Sequence, residues 1–183
     1  MAHDCAPLSP RLRFRKPAAG DAAFLLALMN DSAYLRFIGD RKVRDLNQAR
    51  AYIENKLLPP FSDSGFGLWV TELSASADPI GLCGLVKRDT LPGPDLGYAF
   101  LPAYRRKGYA REAAEAVLYH AAHIIGLQNV LAIVDPENAP SRDLLNHLGF
   151  VFQDKTVFPP SGDTVDMYSW TGAEPKPTGT DCA

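Results

Sequence analysis

Cysteine is scarce in this chain. Three residues, Cys5, Cys83 and Cys182, form an odd set with no C-x-x-C spacing among 183 positions, which argues against a disulfide framework or a zinc site. Long apolar runs are missing too. The longest, Ala22 to Met29, is far short of the roughly 20 residues that a membrane-spanning helix needs, and the opening MAHDCAPLSP has no apolar signal region. A soluble, cytoplasmic protein without a membrane partner is therefore expected. Nor is there an excess of positive charge: 19 Lys and Arg face 21 Asp and Glu, for a formal net charge of -2. Without a long basic run the electrostatic footprint of a nucleic-acid binder is absent. Neither G-x-x-x-x-G-K-[ST] nor G-x-G-x-x-G occurs, so a P-loop and a Rossmann fingerprint are excluded. His120 and His123 stand three apart with no carboxylate to complete a metal set; they are expected on a helix surface, and no metal is expected.

What is present suits one globular domain. With 46% hydrophobic and 22% charged residues, the chain can bury a core without cross-links. Residues 1–10 and 173–183 read as flexible tails, rich in Pro, Gly and small residues, which leaves a single domain over 11–172. Arg11 to Arg15 alternates like a half-buried strand. In DAAFLLALMN, Ala22, Leu25, Leu26 and Met29 share a helical face behind Asp21 as a cap. In DLNQARAYIENKLLPP, Asp45 and Gln48 resemble a capping box, Leu46, Ala49, Ile53 and Leu57 line one face, and Pro59-Pro60 stop the helix. Three β-rich stretches follow at hairpin spacing, Gly67–Leu73, Pro79–Arg88 and Asp95–Pro102, and read as an antiparallel meander. From Gly108 the period becomes helical as far as Gly126. NVLAIVD is then a buried strand, NAPSRDLLNHLGF a short helix with Pro140 in its first turn, and FVFQDKTVF and TVDMYSW are two last strands. The order is β-α-α-β-β-β-α-β-α-β-β, an α/β (α+β) fold.

One stretch carries a chemical signal. YRRKGYAREAAEAV, Tyr104 to Val117, runs three cations into a glycine at the mouth of a long helix. A solvated turn would account for it. So would an anion site, because a helix start exposes unpaired N–H groups at the positive end of its dipole, and Gly108 removes the Cβ that would hold a ligand off the backbone.

Arg105-x-x-Gly108-x-Ala110 is similar to the acyl-CoA signature of the GNAT acetyltransferases. Beside it, LGYAFLPAYRRKGYA, DPENAPSRDLLNHLGF, FIGDRKVRDLNQARAYIENKL and GLCGLVKRD resemble the RimJ/RimL-like branch, the ribosomal-protein N-terminal acetyltransferases, over nearly all of Arg11 to Thr171. The resemblance implies the GNAT fold, a mixed, mostly antiparallel seven-stranded sheet flanked by four helices. It implies transfer of acetyl from acetyl-CoA to a primary amine, either a protein N-terminus or a small molecule, by direct attack in a ternary complex. Arg105, Arg106, Lys107, Gly108, Tyr109, Ala110 and Arg111 would surround the pyrophosphate. Phe100 and Leu101 of the fourth strand would pair with the pantetheine, with Gly97 marking a bulge that parts this strand from the fifth. Asn138 would touch the pantetheine arm and Ser141 the sulfur. Asp95 is the candidate base and Ser141 the candidate acid, since the superfamily's tyrosine seven residues past the asparagine is Leu145 here. Tyr34, Phe37 and Asp95 would face the acceptor, while Phe61 and Phe66 fit either that cleft or the core. Cys83, mid-strand and without a paired His, gives no reason to expect a covalent intermediate. The alternative is a non-catalytic acyl-CoA-binding or regulatory module. A monomer and a homodimer fit equally well.

Overall fold

The computed structural model describes residues 5–158 and 162–172; the expected tail segments 1–4 and 173–183 lie outside them. One seven-stranded sheet organises the chain. Its strands are β1 (Leu12–Arg15), β2 (Leu68–Leu73), β3 (Pro79–Val86), β4 (Asp95–Phe100), β5 (Asn129–Val134), β6 (Val151–Phe158) and β7 (Asp163–Thr171), in the spatial order β1-β2-β3-β4-β5-β7-β6. Every neighbouring pair is antiparallel except β4 and β5. That exception follows from chain length, because the connection between them contains a helix long enough for a crossover.

The helices are α1 (Ala22–Met29), α2 (Ser32–Phe37), α3 (Leu46–Tyr52), α4 (Pro59–Asp63), α5 (Tyr109–His120) and α6 (Ala139–His147). The two expected N-terminal helices are thus four. Asp31 starts α2 by accepting from the backbone N–H of Ala33 and Tyr34 at 3.1 and 3.2 Å, a cap signal within Asn30-Asp31-Ser32. Pro59-Pro60 begin α4 instead of ending a helix, because proline has no N–H to lose in a first turn. Asp45 does cap α3 through Gln48 N–H at 2.8 Å, but Gln48 returns its side chain to Arg44 N–H rather than to Asp45. Asp21 makes no cap bond to α1; Arg15 and the N–H of Ala18 take its carboxylate. The buried face of α1 contains Phe24 and Leu28, whereas Leu26 is only half-buried, and Leu46 of α3 is exposed.

Two cores flank the sheet. Against α5 and α6 lie Ile80, Cys83, Leu96, Phe100, Val117, Val130, Leu145 and Trp170; against α1 and α3 lie Leu25, Leu28, Ile53, Val70 and Leu82. Each side chain that is fully buried here contributes about 1.5–3 kcal/mol. Phe61 and Phe66 belong to the first core, Phe61 edge-on to Trp69 with ring centroids 4.7 Å apart. His120 is also buried, with its ring edge-on to Trp69; the helix-surface expectation fails for it because α5 turns that side to the sheet. Residues 5–10, expected as tail, are held against the domain: Pro7 is buried, Ala6 packs on the first core and Ser9 Oγ bonds Glu112. Cys83 is a buried free thiol.

Candidate functional site

The parallel neighbours β4 and β5 meet at one residue pair, Asp95 with Leu131, where Leu131 N–H donates to Pro94 O at 2.8 Å. Beyond it they part. Gly97 has no bulge beside it: β4 keeps an unbroken register with β3 from Asp95 to Phe100. A Cβ on Gly97 would meet Leu68 and Val86 at 3.3 Å, so glycine there answers packing. Along β4 the backbone groups alternate between β3 and the gap. Leu101 N–H donates to Ile80 O at 2.9 Å and so faces β3. Phe100 and Tyr98 therefore turn their N–H groups into the gap. Of the expected pair, Phe100 and not Leu101 presents backbone to a ligand, and its carbonyl already accepts from Arg105 Nε at 2.9 Å.

At the open end of the gap stands the N-terminus of α5. Its cap residue is Gly108 at φ +83°, and no side chain caps this helix, whereas Asp31, Asp45 and Asn138 cap α2, α3 and α6. The first N–H groups of a 12-residue helix are thus left to solvent or to an anion. A Cβ at Gly108 would find only Arg11 Nη2 within 4 Å, so the approach is open. Glu112 in the first turn accepts from Ser9 Oγ, Arg11 N–H and Arg11 Nε, which offset its charge. The neighbouring cations divide into two groups. Arg105 is drawn to Asp31 and to Phe100 O, and Arg111 to Glu115 at 2.8 Å. Arg106, at φ +59°, and Lys107, over the Tyr104 ring, are exposed and have no carboxylate partner among the described residues.

On the face of β4 that looks toward α5 and α6, Tyr98 Oη lies 2.7 Å from Ser141 Oγ. Burial pushes the Tyr98 phenol up to about 12, against the opposing effect of its Ser141 bond. Asn138 Oδ1 accepts from Ser141 N–H at 3.3 Å, the plain helix cap, and its amide nitrogen has no protein partner among the described residues. The opposite face, reached by Asp95, Gly97 and Ala99, looks toward α1 and α2. Asp95 is 1% exposed and accepts from Arg88 Nε at 2.9 Å. Burial raises its carboxyl and Arg88 pulls it back down, with burial the larger effect. Arg88 lies over the Phe158 ring at 5.3 Å, so the end of β6 borders this side. Tyr34 is buried with its ring in the second core, and Phe37 is half-buried under Arg36. α2 links the two sides of the gap. Its start is tied to Arg105 after β4, and Arg36 near its end to Glu137 after β5 at 2.8 Å.

Residues 11–151 match the Acetyltransferase (GNAT) domain family. The chain belongs to the GNAT family. It is 31% identical over 143 residues to a Bacillus licheniformis protein named uncharacterized N-acetyltransferase p20, covering 76% of this chain and 79% of the relative. In structure it resembles a GNAT-family acetyltransferase from Bacillus anthracis (TM-score 0.75, 22% identity, 92% of this chain and 99% of that one). It also resembles RimL, the ribosomal L7/L12 alpha-N-protein acetyltransferase solved with coenzyme A (TM-score 0.77, 14% identity, 90% of this chain and 96% of that one). The GNAT fold expected from the sequence is the fold observed, and the enzyme is an N-acetyltransferase that uses acetyl-CoA. Among the described residues no helix is long and apolar enough to cross a membrane, and no His, Cys, Asp and Glu cluster could hold a metal.

Within the GNAT frame, Phe100, Arg106 to Ala110, Asn138 and Ser141 gather around the gap and the α5 N-terminus. Arg105 and Arg111 do not present free charge there, because carboxylates within the protein hold them. Asp95 lies on the other face of β4, buried and paired with Arg88. Tyr98 and Arg88 escaped the sequence reading. The alternation within DLGYAF, which sets Tyr98 opposite Asp95 across the strand, was the signal for the first. Nothing local marked Arg88.

Proposed function

We propose that this enzyme acetylates a primary amine by direct attack in a ternary complex, with acetyl-CoA in the gap between β4 and β5 and the amine arriving from the α2 face. The observation that carries this reading is the arrangement of β4 itself. Its gap edge offers the N–H groups of Tyr98 and Phe100, one face holds the Tyr98–Ser141 pair and the other the Asp95–Arg88 pair.

In the reaction the amine nitrogen bonds to the thioester carbonyl carbon, the C–S bond breaks, the nitrogen loses a proton and the sulfur gains one. The amides from Arg106 to Arg111 bind the pyrophosphate, with Lys107 and Arg106 adding charge. Phe100 N–H is the donor nearest to hand for the developing oxyanion. Asn138 orients the pantetheine through its free amide nitrogen. Ser141 protonates the sulfur while Tyr98, whose phenol stays neutral well above pH 7, donates to Ser141 in turn. An α-amine of pKa near 8 is about a tenth neutral at pH 7, so water suffices as base. Asp95 then acts by holding Arg88 rather than by meeting the amine. Cys83 takes no part: burial pushes its thiol up and keeps it protonated.

RimL acts on a protein N-terminus by its name, and the RimJ/RimL-like motifs extend that possibility to this chain. The tie of α2 across the gap favours an acceptor that enters end-on, either a chain terminus or a small amine. The domain spans residues 5–172, since Ala6, Pro7 and Ser9 pack on it, and functions in the cytoplasm. The test is thiol release from acetyl-CoA over a panel of amines and peptides, with binding followed by calorimetry. Release with some amine, lost in Ser141→Ala while acetyl-CoA still binds, supports the reading; binding without release for any acceptor would return it to a non-catalytic module.

A further inference from the structure

Five side chains from four parts of the chain meet on the α2 face at the apex of the gap. Arg88 follows β3, Asp95 opens β4, Phe158 ends β6, and Tyr34 and Arg41 belong to α2 and the loop after it. Arg88 is fixed on two sides, through Nε by Asp95 at 2.9 Å and through its plane by Phe158 at 5.3 Å. Its side chain is 26% exposed, and its two terminal amino groups have no protein partner among the described residues. Arg41 is exposed, has no carboxylate partner among the described residues, and stands with Arg88 and Tyr52 around the Tyr34 hydroxyl. Of the neighbouring arginines, Arg36 is answered by Glu137, Arg44 by Asp40 and Arg105 by Asp31. The apex therefore presents a guanidinium fork, a second guanidinium and phenol hydroxyls, with one carboxylate turned away into the protein.

We propose that this cluster is the specificity site for the acceptor, and that the acceptor is an amine with a carboxylate a few bonds from the reacting nitrogen. The inference rests on the transferase reading above and sharpens it. A guanidinium whose Nε is already bonded still offers its two Nη donors to one carboxylate, in a geometry that lysine cannot match. Arg88 is held in place before any ligand arrives, so little side-chain entropy opposes binding. A polyamine would meet the charge of Arg41 and an Arg88 that already occupies the Asp95 carboxylate, with no carboxylate left to pair with, and is rejected. Asp95 is a positioning residue for Arg88, which accounts for a carboxylate kept almost fully out of solvent at a reaction site.

The experiment compares kcat/KM for pairs of acceptors that differ only in charge. Free amino acids are set against their carboxamides, tetrapeptides beginning with Asp or Glu against the same peptides beginning with Asn or Gln, and spermidine serves as the cationic control. The wild type is expected to favour the carboxylate member by about 10- to 100-fold. Preference among free amino acids assigns a small-molecule acceptor, and preference only among peptides a chain terminus. The preference should collapse toward one in the double variant R88Q/D95N, which removes the fork without leaving Asp95 buried and unpaired. R41A alters an exposed side chain and poses little risk to folding; it should lower the preference at least threefold. Equal or better use of carboxamides or spermidine by the wild type overturns the proposal, as does an unchanged preference in R88Q/D95N with native circular dichroism, or in R41A. Transfer to amines without charge preference sinks this inference alone. No release with any amine sinks the transferase reading along with it.

Discussion

Tyr98 Oη and Ser141 Oγ lie 2.7 Å apart although 43 positions separate them in the chain, which ties β4 to the first turn of α6 across the strand gap. The phenol that many GNAT enzymes place seven residues after the asparagine is replaced here by the buried Leu145, and another phenol reaches the same region from the neighbouring strand. If the two hydroxyls work as one donor, Tyr98→Phe and Ser141→Ala should each lower kcat by roughly 10- to 100-fold with acetyl-CoA affinity within a few-fold of wild type. The double variant should be little worse than either single one. A double-mutant cycle on kcat checks this, and fully additive losses would separate the two roles.

Gly108 takes a left-handed conformation at the start of α5, where the proposed pyrophosphate site lies. At φ +83° a Cβ is strained whatever the space, so Gly108→Ala should lower stability by about 1–2 kcal/mol. It should also weaken acetyl-CoA binding by an order of magnitude or more by tilting the α5 amides. Lys107→Ala should cost only a few-fold in affinity, and less still at high salt. Denaturant titration together with calorimetry at two ionic strengths separates the effects; equal, small losses from both variants would return the stretch to a solvated turn.

Arg105 is the first residue of the acyl-CoA signature, yet its guanidinium bonds Phe100 O and the Asp31 carboxylate. Arg105→Gln should therefore loosen α2 and lower the melting temperature by several degrees, while leaving the salt dependence of acetyl-CoA binding almost unchanged. A salt slope that falls by as much as in Lys107→Ala would place the charge of Arg105 on the cofactor after all.

Arg15 bonds Asp21 and Glu72 at 2.6 Å, joining β1, β2 and the entry to α1. Arg15→Ala leaves two buried carboxylates without their cation and should cost about 2–4 kcal/mol in chemical denaturation. The ion-paired carboxyls of Asp21, Asp31 and Glu112 sit below their ordinary range: burial alone would raise them, but their hydrogen bonds and ion pairs outweigh it. Their contribution is complete above the unfolded carboxylate range near pH 4 and is lost as pH falls below it. Asp95, raised by burial, works in the opposite direction. Stability measured from pH 7 to pH 3 should therefore fall in wild type and fall less steeply in Arg15→Ala. Parallel curves would assign the acid sensitivity elsewhere.

Much of the architecture was legible because it is written in short-range pattern. Alternation marked the strands, the alanine stripe marked α5, and Gly126 and Pro140 marked the ends of elements. The N-terminal helices were misread where tertiary context overrode local signals: Asp31 opened a helix that the apolar pattern skipped, and the paired prolines began one. His120 went wrong because periodicity places a residue on a helix face without saying how wide the buried face is.

By itself the sequence determined the order of the seven strands and of the two later helices, the family, and the glycine at the mouth of α5, since each depends on residues near one another in the chain. Only the tertiary structure decided which charges are available. A carboxylate 74 positions away meets Arg105 and one from the next strand meets Arg88, while Arg106, Lys107 and Arg41 meet none among the described residues. A phenol from β4 meets the Ser141 hydroxyl at the start of α6. Electrostatic and hydrogen-bond partners are set by distance in space, and the crossover between β4 and β5 brings them together.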